Sequence, residues 1–164
     1  MCCKASCVSS KITLITGPIG SGKTRYLNRF LYQDGAGGIL APSNTEKTTY
    51  HLQSITTGDR RIFLSEEMFP NSVKSGRFYQ SEETRQWANE LIIAELSSFS
   101  SIVFDELGKF ELHGGGLTPA FVAALNHPNL EIYASVRDTN LKAIIDYYNL
   151  KQFTVTIIDL LAIE

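Results

Sequence analysis

Apolar positions along this chain follow two periods in turn, a near-continuous or alternating one and a helical one. Residues 11–16, Lys-Ile-Thr-Leu-Ile-Thr, are β-branched and apolar and predict a strand. After a glycine-rich break, Tyr26, Leu27, Phe30 and Leu31 fall at helical spacing. Gly35-Ala36-Gly37-Gly38 reads as a second break, and Ile39-Leu40-Ala41 as a short strand that Pro42-Ser43-Asn44 ends. Residues 48–55 and 61–64 predict a hairpin around Thr57-Gly58-Asp59. The stretch 65–79, polar and interrupted by Pro70 and Gly76, predicts a surface loop.

Ser81 predicts the cap of the longest helix, with Glu82 and Glu83 in the first turn where the dipole favours negative charge. Trp87, Ala88, Leu91 and Ala94 predict its buried stripe, with Trp87 as core rather than a stacking platform. Residues 101–106, Ser-Ile-Val-Phe-Asp-Glu, read as a buried parallel strand with an acidic tip. Thr118 followed by Pro119 predicts another helix start. Residues 131–136 predict a further parallel strand, and Asp138 or Thr139 caps a helix with Leu141, Ile144, Ile145 and Tyr148 on one face. Residues 153–158 predict a last buried strand.

The glycine-rich break between the first strand and helix carries the chemistry. Gly17-Pro18-Ile19-Gly20-Ser21-Gly22-Lys23-Thr24 fits the P-loop (Walker A) pattern G-x-x-x-x-G-K-[ST] at every specified position. Glycines let backbone N–H groups close on phosphate oxygens where a side chain would block them. Lys23 offers a positive charge to β- and γ-phosphates, and the Thr24 hydroxyl can ligate Mg²⁺. Residues Gly17 to Thr24, with Arg25 following, are the expected phosphate-binding set. With this loop, the order βα, hairpin and three αβ units predicts an α/β fold: a three-layer P-loop NTPase sheet, mostly parallel, with an inserted β-hairpin.

In such a sheet the acid at a neighbouring strand tip holds the Mg²⁺ shell, which points to Asp105, and an adjacent acid can polarise the attacking water, which points to Glu106. Strand alternation is expected to send the two carboxylates to different sides. Lys109 can fold back to stabilise charge on the transferred phosphoryl group, or pair with Glu106 or Glu111 and order the loop. Ser135 and Arg137 fall at the next strand tip, where polar residues sense the γ-phosphate or simply face solvent.

Composition narrows the setting. The 164 residues allow one domain with a sizeable core, expected over 11–164 behind a flexible tail at 1–10. Acidic and basic residues nearly balance, 17 against 15, so no broad surface for nucleic acid or anionic membrane is implied. No apolar run reaches the ~20 residues that span a bilayer, and the N-terminus lacks a secretory core, so the cytoplasm is the expected location. Cys2, Cys3 and Cys7 all precede the first strand, which excludes a disulfide framework; a thiolate clip, a modified site or a plain tail remain.

Gly17 to Thr24, followed by Phe104-Asp105-Glu106-Leu107-Gly108-Lys109-Phe110-Glu111-Leu112, resembles the small P-loop nucleoside-triphosphatase family known from thermophiles and from a human cancer-related member. That family's second motif typically runs Asp-Glu-Ile-Gly-Lys-Met-Glu-Leu, and the similarity covers residues 11–158. The resemblance implies Mg²⁺-dependent hydrolysis of ATP, GTP and other triphosphates with little base selectivity. It places phosphates on residues 17–24, the magnesium shell on Asp105 and the water on Glu106. Gly114-Gly115-Gly116 departs from the family pattern, and residues 42–47 lack the arginine that often follows the second strand.

The residues therefore point to a nucleoside-triphosphatase with ATP or GTP as ligand. Catalytic roles fall to Lys23, Glu106 and Lys109, and metal-binding roles to Thr24 and Asp105. Two alternatives stay open. One is a small kinase, for which Arg60, Arg61, Lys74 and Arg77 are the only candidates for a basic lid. The other is a nucleotide-dependent switch acting through a protein partner.

Overall fold

The computed structural model describes residues 10–29 and 35–161, so Cys2, Cys3, Cys7, Phe30 and Leu31 lie outside the described residues. Ser10, the last residue of the expected tail, is buried and donates its hydroxyl to the His127 carbonyl at 2.8 Å.

Five parallel strands form the heart of one sheet: β1 (Lys11–Gly17), β2 (Ala36–Leu40), β7 (Ser101–Leu107), β8 (Glu131–Arg137) and β9 (Thr154–Asp159). Four antiparallel strands extend it: β3 (Thr49–Ser54), β4 (Arg60–Ser65), β5 (Val73–Ser75) and β6 (Phe78–Gln80). The spatial order is β5-β6-β4-β3-β2-β7-β8-β1-β9. One face carries α2 (Glu82–Glu95), α3 (Thr118–Leu125) and α4 (Asp138–Tyr147) over a core that includes Ile12, Leu14, Ile102, Phe104 and Ile132. The other face carries α1 (Lys23–Asn28), where Leu27 packs with Ile15, Leu40 and Val103. Phe104, Phe121 and Tyr148 stack edge-to-face at 5.1 and 4.9 Å, tying β7 to α3 and to the end of α4.

The glycines at 35–38 do not break the chain; Ala36, Gly37 and Gly38 are the buried first half of β2. They are small because the neighbours are close. A Cβ on Gly38, at φ +110°, would lie 2.2 Å from the Val103 carbonyl oxygen. Close backbone approach and a run of turn-forming residues look alike in sequence.

The stretch 65–79 is not a plain loop. It contains β5 and most of β6, paired through Val73↔Gln80 to Ser75↔Phe78, with β6 joined to β4 at Leu64↔Gln80 and Ser65↔Tyr79. Strands of three residues carry too little periodicity to announce themselves, and β6 exists because β4 offers it an edge. At the opposite edge, β9 is mostly exposed, with Ile157 at 50 %, rather than buried as expected. Among the described residues it pairs on one side only, with β1.

Ser81 caps α2, accepting from the Thr84 amide at 3.0 Å. The buried stripe of α2 differs from the apolar pattern: it runs through Thr84, Ala88, Asn89 and Ile92, whereas Ala94 is exposed and Leu91 half-buried. The two polar members are satisfied internally. Thr84 donates to the Ile62 carbonyl at 2.8 Å, and Asn89 donates to the Gly116 carbonyl at 3.0 Å while accepting from the Ala120 amide at 2.9 Å. Trp87 packs against the core with the Arg61 guanidinium 4.4 Å from its ring centre. Neither remaining expected cap forms. Leu117 precedes α3 while the Thr118 hydroxyl bonds Tyr148, and Arg137 precedes α4 while Asp138 accepts from the adjacent Thr139 amide.

Candidate active site

The C-terminal ends of β1, β2, β7 and β8 lie side by side, and each contributes to one cleft. This is where an open parallel sheet places its ligands. From β1 the chain turns through residues 17–22 into α1, and Lys23 bends back over the turn. Its ammonium donates to the Gly17 and Pro18 carbonyls at 2.9 and 2.8 Å. Burial pulls the Lys23 pKa below the usual lysine value, while the Glu106 carboxylate opposes the shift.

A pocket of about 260 Å³ lies over the turn, lined by Ile19, Gly20, Gly22, Lys23, Thr24 and Arg25 on one side. Glu106, Arg137, Lys47 and Tyr50 close the other. The Ser21 side chain is placed elsewhere. Its hydroxyl is buried without a hydrogen-bond partner among the described residues, within 2.6 Å of where a Cβ on Gly17 would sit. Pro18 likewise takes part through its carbonyl, which accepts from the Ser21 amide at 3.2 Å as well as from Lys23.

Asp105 and Glu106 diverge, but strand alternation is not the cause. The β7–β8 register shifts between Phe104 and Leu107, and Glu106 adopts φ +63°. A non-glycine residue in that region costs of order 1–3 kcal/mol, and such strain is characteristic of functional sites. Asp105 is 1 % exposed and joins three strands. One carboxylate oxygen accepts from the Ala41 amide just beyond β2 at 3.0 Å, and the other accepts a short bond from the Ser135 hydroxyl on β8. Ser135, wholly buried, also accepts from the Glu106 amide at 2.8 Å. It sits between the two acids, away from the cleft surface. The Glu106 carboxylate faces the cleft with Arg137 at 3.6 Å. Burial, and secondarily Asp105, push its pKa above the ordinary carboxylate value.

Lys109 pairs with neither acid. It is exposed on the rim of a neighbouring cavity, and no ion pair forms with it among the described residues. Glu111 is instead buried, accepting from the Gly108 amide at 2.7 Å and the Leu117 amide at 2.9 Å. The same carboxylate accounts for Gly116, because a Cβ there would lie 1.9 Å from a Glu111 carboxylate oxygen.

Sequence reasoning passed over Lys47 and took Glu111 only as a partner for Lys109. Lys47 comes from the segment without the expected arginine, and its ammonium lies 3.2 Å from where a Cβ on Gly20 would sit. The available signal was its place in the turn after β2, at the ligand-binding end of the sheet. Thr24 and Glu106 line the P-loop pocket and Asp105 the adjoining cavity, and their oxygens are donors that suit a hard cation such as Mg²⁺. No group of three or more His, Cys, Asp or Glu side chains that could hold a metal ion occurs among the described residues. Among the same residues, no helix is long and apolar enough to cross a membrane.

Two solved structures share the fold. The crystal structure of THEP1 from the hyperthermophile Aquifex aeolicus superposes with a TM-score of 0.70 at 17 % identity, covering 91 % of this chain and 89 % of that one. The solution structure of a human cancer-related nucleoside triphosphatase gives 0.67 at 17 % identity, covering 92 % and 88 %. A comparison with curated proteins yields no match. The family model described as NTPase matches residues 12–160, nearly the whole sheet and every strand tip of the cleft. The chain belongs to the NTPase family, and nucleotide triphosphatase is its activity class.

Proposed function

We propose that the protein hydrolyses nucleoside triphosphates to diphosphate and phosphate in a Mg²⁺-dependent reaction with weak base selectivity. The observation that carries this reading is the position of Glu106. Its carboxylate lines the same small pocket as Lys23 and Thr24, held there by left-handed backbone and the Ser135 bond. Burial raises its proton affinity, which suits a group that must accept a proton from water near neutral pH.

In this reading the P-loop amides and the Lys23 ammonium bind the β- and γ-phosphates. Thr24 and, through water, Asp105 would hold Mg²⁺, whose chemistry there is to neutralise charge on those oxygens. The two hydrogen bonds already made by the Asp105 carboxylate favour the water-mediated role over direct ligation. Glu106 orients and deprotonates the attacking water. Arg137 beside it, and Lys109 from the rim, supply positive charge to the phosphoryl group in transit. Weak base selectivity is supported by the pocket's lining, where backbone and cations read phosphate rather than base edges. The test is phosphate release from ATP, GTP, CTP and UTP with Mg²⁺ and with chelator. Comparable kcat/KM values that vanish on chelation are expected; metal-independent release, or one triphosphate preferred 100-fold, defeats the proposal.

A further inference from the structure

Behind Glu106 and Arg137 lies a second cavity of about 820 Å³, more than three times the volume of the P-loop pocket. The two share a wall that includes Ile19, Lys47, Tyr50, Glu106 and Arg137, but no residue from 20 to 25 lines the larger one. The larger cavity therefore opens on the γ-phosphate side of the site, away from Thr24 and Arg25. An attacking water occupies ~30 Å³. The attacking water alone leaves almost all of this space unfilled, and the cavity's volume is that of a small-molecule site.

Its lining is specific in chemistry. Two edge-to-face aromatic pairs form walls, Tyr50 with Phe78 at 5.9 Å and Phe63 with Phe110 at 6.1 Å. Such surfaces take a flat ring. Ser75 and Asn140 add hydrogen-bonding groups that a purely aliphatic guest would leave unpaired, while Arg85 on the same wall is held by Glu82. The end nearest the P-loop holds Glu106, a carboxylate suited to receive a hydroxyl proton.

We propose that this cavity is a second-substrate site for a nucleoside, its base between the aromatic walls and a sugar hydroxyl at Glu106, where it takes the γ-phosphoryl group in place of water. The inference rests on the phosphate-binding half of the proposed function. In the transfer step the hydroxyl oxygen forms a bond to the γ-phosphorus while the bond from that phosphorus to the bridging oxygen breaks. The nucleoside diphosphate leaves, and the hydroxyl proton passes to Glu106 and then to solvent. No redox partner is required.

The experiment incubates the full chain with ATP, Mg²⁺ and adenosine, guanosine, cytidine or thymidine, and quantifies free phosphate and nucleoside monophosphate by mass spectrometry. At least one nucleoside is expected to yield its monophosphate. Phe78→Ala and Phe63→Ala should each lower the ratio of monophosphate to free phosphate at least tenfold. The ratio is internal, so partial unfolding that lowers both products leaves it intact. Phosphate release with no monophosphate from any nucleoside overturns the acceptor site and leaves the hydrolase standing. Loss of neither ratio, despite monophosphate formation, overturns the assignment of this cavity. Absence of both products removes the acceptor site and the hydrolase together.

Discussion

The molecule contains two glycine-rich loops at strand-to-helix transitions, and they put the same composition to opposite uses. Residues 17–22 wrap an open pocket, and the charge that enters them from the chain is the Lys23 ammonium, bonded to the carbonyls of Gly17 and Pro18. Residues 108–117 wrap a pocket already filled by the Glu111 carboxylate, bonded to the amides of Gly108 and Leu117. The second loop carries its own anion at the start of α3, while the first leaves its place for one free. A loop closed on its own acid acts as a structural clamp, whereas a loop closed on its own cation leaves its amides open, as the proposed phosphate-binding role requires.

Removing the cation is the strongest way to test the contrast. Lys23→Ala should abolish most triphosphate binding and lower phosphate release by ~10²-fold or more, since such a charge acts on both ground and transition states. Unchanged release would break the assignment of the open loop. Glu106→Gln comes next. It keeps shape and should keep triphosphate binding, measured by calorimetry, while phosphate release falls by about 10²-fold. Normal turnover would place water activation elsewhere.

The filled loop should show its function in stability. Gly116→Ala forces a Cβ into the Glu111 carboxylate at a residue with φ +57°. A loss of about 2 kcal/mol, or roughly 4–8 °C in melting temperature, is expected for a chain of this size. An unshifted melt would mean that the loop yields easily and is no clamp. The smallest effect is in pH dependence. Burial holds the Glu111 carboxyl above its ordinary pKa of 4.5, so the folded state keeps this proton to higher pH than the unfolded state. Its contribution to stability is thus fully present below 4.5 and declines as pH rises through the raised folded value. Glu111→Gln should flatten that decline while costing ~1–3 kcal/mol for the lost acceptor. Glu106, shifted the same way, leaves a residual slope. An undiminished slope in the variant would show that Glu111 does not titrate in this window.

The elements that could be read from residue order are those whose signal is local. The P-loop needs its eight residues in one order, the buried strands β1, β7 and β8 are near-continuous apolar runs, and Ser81 caps α2 through a bond three residues away. The acidic tip at 105–106 was legible for the same reason. What escaped is set by distant partners. Gly37 and Gly38 belong to a strand because β7 and α2 crowd them, β6 forms because β4 has a free edge, and Asn89 is buried because Gly116 and Ala120 satisfy it.

By itself, the sequence determined the α/β class, and it marked the glycine-rich turn at 17–24 and the acidic strand tip at 105–106, because each depends on residue types at short, fixed separations. Only the tertiary structure decided their division of labour. Ser135 lies 29 or more residues from the two acids it bonds, and Arg137 comes from the same distant strand. The bulge that turns Glu106 toward the pocket is a mismatch between β7 and β8, a property of neither strand alone. Pairing across a sheet is fixed by packing and backbone hydrogen bonds, and no local pattern carries that information.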